Sequence, residues 1–221
     1  MSIFLDSSDA NLVFRFHDMG VIRGVTTNPT ILRKEGVRSE DIEKRIKNIA
    51  FQVAPYPVSV EVTSNDPIEM RRQAVGMAGW AANIVIKVPI HGPLGESNLG
   101  VIHALETSDH IPVNVTACMS AQQCLLAAMA GASFVSLFCG RIANMGHDPC
   151  AELSLLRRLL LNCDLGSKVI AASVRECRNV VEWLDAGSDI VTVTPDLLEK
   201  MAVHPYTKET VAMFLADATG S

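Results

Sequence analysis

The chain reads as an α/β protein, a single (β/α)8 TIM barrel with one additional helix at its C-terminus. Three observations predict this. Strand-length apolar or β-branched runs recur along the whole chain, eight in number; segments with helical spacing and caps separate them; and no linker or low-complexity stretch interrupts the alternation. Most of the runs lack a clean apolar/polar alternation, as expected of strands covered on both faces. With 221 residues, 48% hydrophobic and 19% charged, one catalytic domain spanning 1–221 has ample material for a core.

The elements follow in order. The first strands are expected at 3–7, 24–27 and 58–62. Asn65, Asp66 and Pro67 form a cap and first-turn signal for a helix over 68–82, after which 84–88 is the fourth strand. The fifth strand is 111–116. Ser120-Ala-Gln-Gln123 has capping-box spacing ahead of a helix at 124–130, which Gly131 closes. The sixth strand is 134–138, followed by leucines at helical spacing over 152–162. The seventh is 168–172, and Ser173-Val-Arg-Glu176 has the spacing of a second capping box, opening a helix that runs to Gly187. The eighth is 189–193, and 208–217 is a last helix, free to pack on a neighbouring subunit. A doubly wound sheet is the competing architecture. The count of eight and the absence of a G-x-G-x-x-G or Walker-type loop after any strand favour the barrel.

Composition excludes several classes. A net charge of -5 is wrong for a nucleic-acid binder, whose affinity comes from clustered Lys and Arg. No run approaches the ~20 apolar residues that span a bilayer, and the N-terminus has no signal-peptide pattern. The six cysteines show no C-x-x-C spacing and are expected to be buried free thiols of a cytoplasmic protein. Asn114-Val-Thr116 has a glycosylation spacing but lies in an apolar run.

In such barrels the active site forms at the C-terminal ends of the strands. The polar residues expected there are Asp6; Thr26, Thr27 and Asn28; Glu61 and Thr63; Lys87; Asn114 and Thr116; Ser136 and, beyond it, Arg141; Ser173 and Arg175; and Thr192 and Thr194. Lys87 is the most informative, standing in Ile84-Val-Ile-Lys-Val-Pro89 with no other charge. An ammonium in an apolar run is costly, proteins answer by favouring the neutral amine, and a neutral amine attacks carbonyls. A lysine at a strand end also snorkels to solvent without chemistry. Asp6 and Glu61 at the same mouth favour chemistry, because imine formation and C–C cleavage both need an acid/base partner. Arg141 and Arg175 follow late strands, where barrels often hold phosphate. Ser173 has two readings, helix cap or phosphate ligand. The six histidines make no metal set, since only His91 falls near the expected mouth. No metal and no cofactor are expected.

The motifs Leu5-Asp6, Gly24-Val-Thr-Thr-Asn-Pro29, Ile86-Lys-Val-Pro89, Val113-Asn-Val-Thr116, Ser136-Leu-Phe-Cys-Gly-Arg141 and Ala171-Ala-Ser-Val-Arg175 resemble those of the small transaldolases and fructose-6-phosphate aldolases. The resemblance runs from Ile3 to about Leu215, and the order and spacing make it specific. It implies a transaldolase of carbohydrate metabolism, of the pentose phosphate pathway type, moving a dihydroxyacetone unit between sugar phosphates. It implies Lys87 as the Schiff-base lysine, Asp6 as the acid/base for cleavage, and Glu61 and Thr116 as holders of a catalytic water. Thr26, Asn28, Asn114, Ser136 and Phe138 belong to the substrate site, with Asn28, Asn114 and Ser136 on the dihydroxyacetone hydroxyls. Arg141, Ser173 and Arg175 would bind the phosphate. It also implies a ring-built homo-oligomer, often a decamer.

Two positions divide the family's branches. The aldolase branch usually carries Gln and Tyr where this chain has Glu61 and Phe138, which match the transaldolase branch. There is one departure: after Pro89 the family usually has Thr in the position of His91 and enters its helix at once. Here Ile90-His-Gly-Pro-Leu-Gly-Glu96 makes a longer loop, expected to border the mouth, which leaves the acceptor sugar open. The alternatives are an aldolase releasing free dihydroxyacetone, a relative with an unusual acceptor in a specialised sugar pathway, a decarboxylase or dehydratase using the same lysine, and an inactive barrel serving as a scaffold. The retention of both Lys87 and Asp6 argues against the last.

Overall fold

The computed structural model describes residues 1–220. It is a closed barrel in which β1 (Ser2–Asp6), β2 (Val25–Thr26), β3 (Val58–Glu61), β4 (Ile84–Pro89), β5 (Val113–Cys118), β6 (Phe134–Leu137), β7 (Lys168–Ala171) and β8 (Ile190–Val193) pair in sequence order. All neighbours are parallel, and β8 returns to β1 through Leu5 opposite Val193. Helices α1 (Ala10–Asp18), α2 (Pro29–Lys34), α3 (Ile42–Val53), α4 (Pro67–Ala78), α5 (Leu99–Thr107), α6 (Ala121–Met129), α7 (Cys139–Asn144), α8 (Pro149–Asn162), α9 (Cys177–Asp185) and α10 (Pro195–Met201) fill the connections. The predicted tail helix is α11 (Pro205–Thr219), longer at both ends than the pattern suggested.

Two apolar layers hold the barrel. Odd and even strand positions point to opposite faces. Leu5, Val60, Ile86, Val113, Val115, Val135, Val169, Val191 and Val193 face outward into one continuous core beneath the helices. A second, small cluster of Phe4, Ile170 and Ile190, with Phe134 against it, fills the barrel interior at its N-terminal end. Gly24 makes room for this floor, since a Cβ there would stand 2.6 Å from the Phe4 ring. Above the floor the inward positions turn polar: Ser59, Asn114, Ser136 and Thr192, then Asp6, Glu61 and Lys87.

Several local expectations need correction. Helix α4 stops at Ala78, capped by Gly79, and does not reach residue 82. Asp66 does cap its start, accepting from the Glu69 N–H at 2.8 Å. Ser120 caps α6 through the Gln123 N–H, but the Gln123 side chain accepts from Met119 N–H, so only half of that box forms. The second predicted box is displaced. Helix α9 opens at Glu176 paired with Asn179, and Ser173 lies three residues outside it with φ 67°, a left-handed backbone that an N-cap does not use. All six cysteines are free, but only Cys118, Cys124 and Cys139 are buried, while Cys163 is exposed.

Candidate active site

The strand ends enclose a cavity of about 570 Å³ at the C-terminal mouth. Eleven of the twelve site residues predicted from sequence line it: Asp6, Thr26, Asn28, Glu61, Lys87, Thr116, Ser136, Phe138, Arg141, Ser173 and Arg175. Parity explains the convergence. Asp6 stands two residues past Phe4, Glu61 two past Ser59, and Thr116 two past Asn114, so each strand sends successive inward side chains up one wall.

Lys87 is buried, and its ammonium position is defined by two contacts. Nζ donates to the Thr27 carbonyl at 3.0 Å and lies 3.4 Å from Glu61 Oε2. Register sets the second contact, because Glu61 and Lys87 are direct partners across β3 and β4. Burial holds the Asp6 carboxyl above the usual range, opposed by the Lys87 charge and by a hydrogen bond from Thr26, with nearby Glu35 pushing it further up. That bond runs from Thr26 Oγ1 to Asp6 Oδ1 at 2.6 Å, and the same hydroxyl meets Thr192 Oγ1 at 2.5 Å.

The far wall is also ordered. Ser136 Oγ donates to Asn114 Oδ1 at 2.7 Å, and Asn114 Nδ2 donates to Ser59 Oγ at 3.2 Å. Asn114 is fully buried and, unlike the others, stands behind the cavity lining. Asn28 caps α2, accepting from Ile31 N–H at 2.9 Å, and presents the rest of its side chain to the mouth. Thr116 Oγ1 is buried without a protein partner, a hydroxyl placed to bind a water or a substrate oxygen. The pairing of β5 with β6 shifts register between Val115 and Cys118, and Ala117 there adopts φ 60° and lines the cavity.

Arg141 enters from α7, just after β6, and Arg175 from the loop after β7. The Arg141 guanidinium lies 5.3 Å from the centre of the Phe138 ring, which steers it over the mouth. Ser173 is held by a close backbone approach: a Cβ at Gly140 would sit 1.8 Å from the Ser173 carbonyl oxygen. Asn179 Oδ1 accepts from the N–H groups of Arg175 and Glu176, fixing the rest of that loop.

Sequence reasoning missed Lys34, which lines the mouth with Lys87, Arg141 and Arg175. The signal was present, since Lys34 stands four residues after Thr30 and three after Ile31 along the short α2, so the three share one face. The loop after β4 is a tight turn in which His91 bridges Ser97, and none of residues 90–98 lines the cavity. The expectation that this loop borders the cavity is therefore corrected. Thr63 is likewise turned away and bonded to Gln73. Among the described residues no group of three or more His, Cys, Asp or Glu is placed to hold a metal, and no helix is long and apolar enough to cross a membrane.

This is a (β/α)8 barrel whose mouth sets a buried amine beside two carboxylates, a set of groups suited to carbonyl chemistry. The transaldolase/fructose-6-phosphate aldolase family model matches residues 3–219. The chain is 38% identical over 217 residues to a probable transaldolase of Chelativorans sp., covering 98% of this chain and 96% of that one. It is 36% identical over 217 residues to a probable transaldolase of Dehalococcoides mccartyi, covering 98% and 97%. A thiamine phosphate pyrophosphorylase from Pyrococcus furiosus superposes with a TM-score of 0.63 at 11% identity, covering 91% of this chain and 93% of that one, a likeness of fold alone. The chain belongs to the transaldolase/fructose-6-phosphate aldolase family.

Proposed function

We propose that the chain is a transaldolase, transferring a dihydroxyacetone unit from a ketose phosphate to an aldose phosphate through a Schiff base on Lys87. The observation that carries this reading is the buried Lys87 amine, held between the Glu61 carboxylate and the Thr27 carbonyl on the same floor as Asp6. Lys87 Nζ attacks the C2 carbonyl of a donor such as fructose 6-phosphate or sedoheptulose 7-phosphate. Water leaves as the iminium forms, with its proton supplied through Glu61 and a water held by Thr116. Asp6 takes the proton of the C4 hydroxyl, the C3–C4 bond breaks, and its electron pair moves into the iminium to give an enamine. The first aldose phosphate departs. The enamine then attacks the acceptor aldehyde, Asp6 returns its proton, and hydrolysis frees the new ketose.

Asn28 and Ser136 orient the dihydroxyacetone hydroxyls, with Asn114 bonded to Ser136 from behind the lining, and Arg141, Ser173 and Arg175 bind the phosphate. Phe138 presents no hydroxyl to the enamine, which favours waiting for an acceptor over release of dihydroxyacetone. The test is fructose 6-phosphate with borohydride, followed by peptide mapping, alongside assays of free dihydroxyacetone. A reduced three-carbon adduct on Lys87 is expected, with little free dihydroxyacetone unless Phe138→Tyr is introduced. An adduct elsewhere sinks the lysine assignment. Release as fast without acceptor as transfer with one replaces this reading by the aldolase.

A further inference from the structure

Glu35 follows α2 directly and has no part in the chemistry above. Its carboxylate reaches back to the segment that leaves β1 just after Asp6. Oε1 accepts from Ser7 Oγ at 2.7 Å, and Oε2 accepts from the Ser8 N–H at 2.6 Å and from the Ser8 hydroxyl. Ser7 and Ser8 are fully buried, so these donors have little access to water. Ser7 Oγ also accepts from Asp9 N–H at 3.0 Å, and Arg45 of α3 donates to the Ser8 carbonyl at 3.0 Å. One carboxylate therefore holds three donors of the two residues that follow Asp6.

We infer that Glu35 is a positioning residue for Asp6, fixing the backbone that aims its carboxyl and setting a second negative charge behind it. The inference rests on the reading of Asp6 as the acid/base. A purely structural clamp has no need of a charge next to another carboxylate, because like charges disfavour each other. The surroundings of Asp6 leave few other sources for this effect. Lys87 faces it from β4, with Glu61 of β3 paired to that lysine. Thr26 and Thr192 present hydroxyls from β2 and β8. Lys34, the residue before Glu35, lines the cavity, Arg45 is engaged with the Ser8 carbonyl, and Arg141 of α7 and Arg175 of the loop after β7 enter from the β6–β7 side. Lys87 and Glu35 act on Asp6 through their charge, in opposite directions.

The experiment is the pH profile of kcat/KM for transfer from fructose 6-phosphate to an aldose phosphate, with borohydride trapping in parallel. Glu35→Gln should lower kcat roughly tenfold, the scale expected when charge-assisted hydrogen bonds that orient a reacting group are lost. Its acid limb should move to lower pH, because the charge that pushes Asp6 up is gone. Trapping should still mark Lys87, with the six-carbon adduct gaining over the three-carbon one. Glu35→Asp should leave the limb near its wild-type position. A wild-type rate for Glu35→Gln, or a lower rate with an unmoved limb, overturns the inference. Should Glu35→Gln not fold, Ser8→Ala decides: it keeps the charge and removes one donor, so kcat should fall with the limb unmoved, and an unchanged kcat overturns the inference. Asp6→Asn separates the two readings. Full turnover in that variant removes the Asp6 assignment and Glu35 with it, whereas lost turnover with a normal Glu35→Gln profile removes Glu35 alone.

Discussion

At the scale of single residues, Asp6, the proposed acid/base, shows how a buried carboxyl weakens the fold that holds it. Its carboxyl is raised above the ordinary 3.8 by burial, against the pull of Lys87 and Thr26. The folded state therefore keeps a proton that the unfolded chain has already lost. Unfolding stability falls as pH rises from the ordinary carboxylate range through the raised value, and above that value the whole penalty is present. Asp6→Asn should thus raise the unfolding midpoint at neutral pH while abolishing transfer, and the gain should shrink below about pH 4, near the ordinary carboxylate pKa. Chemical denaturation at several pH values measures this, and a gain that is the same at every pH would show it has another origin. The arginines give a second prediction. Arg141→Ala and Arg175→Ala should each weaken phosphorylated substrates by about 1.5–3 kcal/mol, the range for charge-assisted bonds. Non-phosphorylated donors should be much less affected. Equal losses on both kinds of donor would make these arginines structural.

At the scale of elements, the sequence announced the strands well and the loops poorly. The eight runs were legible because they are strand-length, apolar or β-branched, and several end on a polar residue at the mouth, as in Leu5 before Asp6 and Ile86 before Lys87. All twelve candidate site residues were read from strand-end position together with family resemblance, and eleven of them line the cavity. What stayed hidden depended on contacts remote in sequence. Ser173 has capping-box spacing with Glu176, yet its backbone is left-handed and its carbonyl packs onto Gly140. The longer loop after β4 looked relevant to the site, yet it closes on itself through His91 and Ser97. Lys34 was missed because α2 is too short for its periodicity to stand out. The Gly140 contact yields a prediction at this scale. Gly140→Ala would drive a Cβ into backbone, not into a side chain that can turn aside. It should cost about 1–3 kcal/mol, in the range of overpacking, and weaken phosphate binding by displacing Ser173. Unchanged KM for phosphorylated donors would show that the two segments separate without consequence for the site.

At the scale of the molecule, α11 stands apart. None of its residues is buried, and it exposes Tyr206, Val211, Met213, Phe214 and Leu215. A 15-residue helix with that much apolar surface is a candidate interface for the homo-oligomer that the family resemblance implies. Phe214→Glu combined with Leu215→Lys should lower the particle mass in sedimentation without unfolding the barrel. An unchanged mass would place any subunit contact elsewhere.

The apolar floor of Phe4, Phe134, Ile170 and Ile190 has a consequence for traffic. It makes the barrel a vessel with a bottom, so whatever enters between Asp6 and Arg175 must leave by the way it came. In the proposed transfer the first aldose phosphate and the acceptor that follows it then use one doorway and one seat, while the three-carbon fragment stays tethered to Lys87 below them. The departing sugar is the incoming sugar's direct competitor, and the order of arrivals is imposed by the shape of the container.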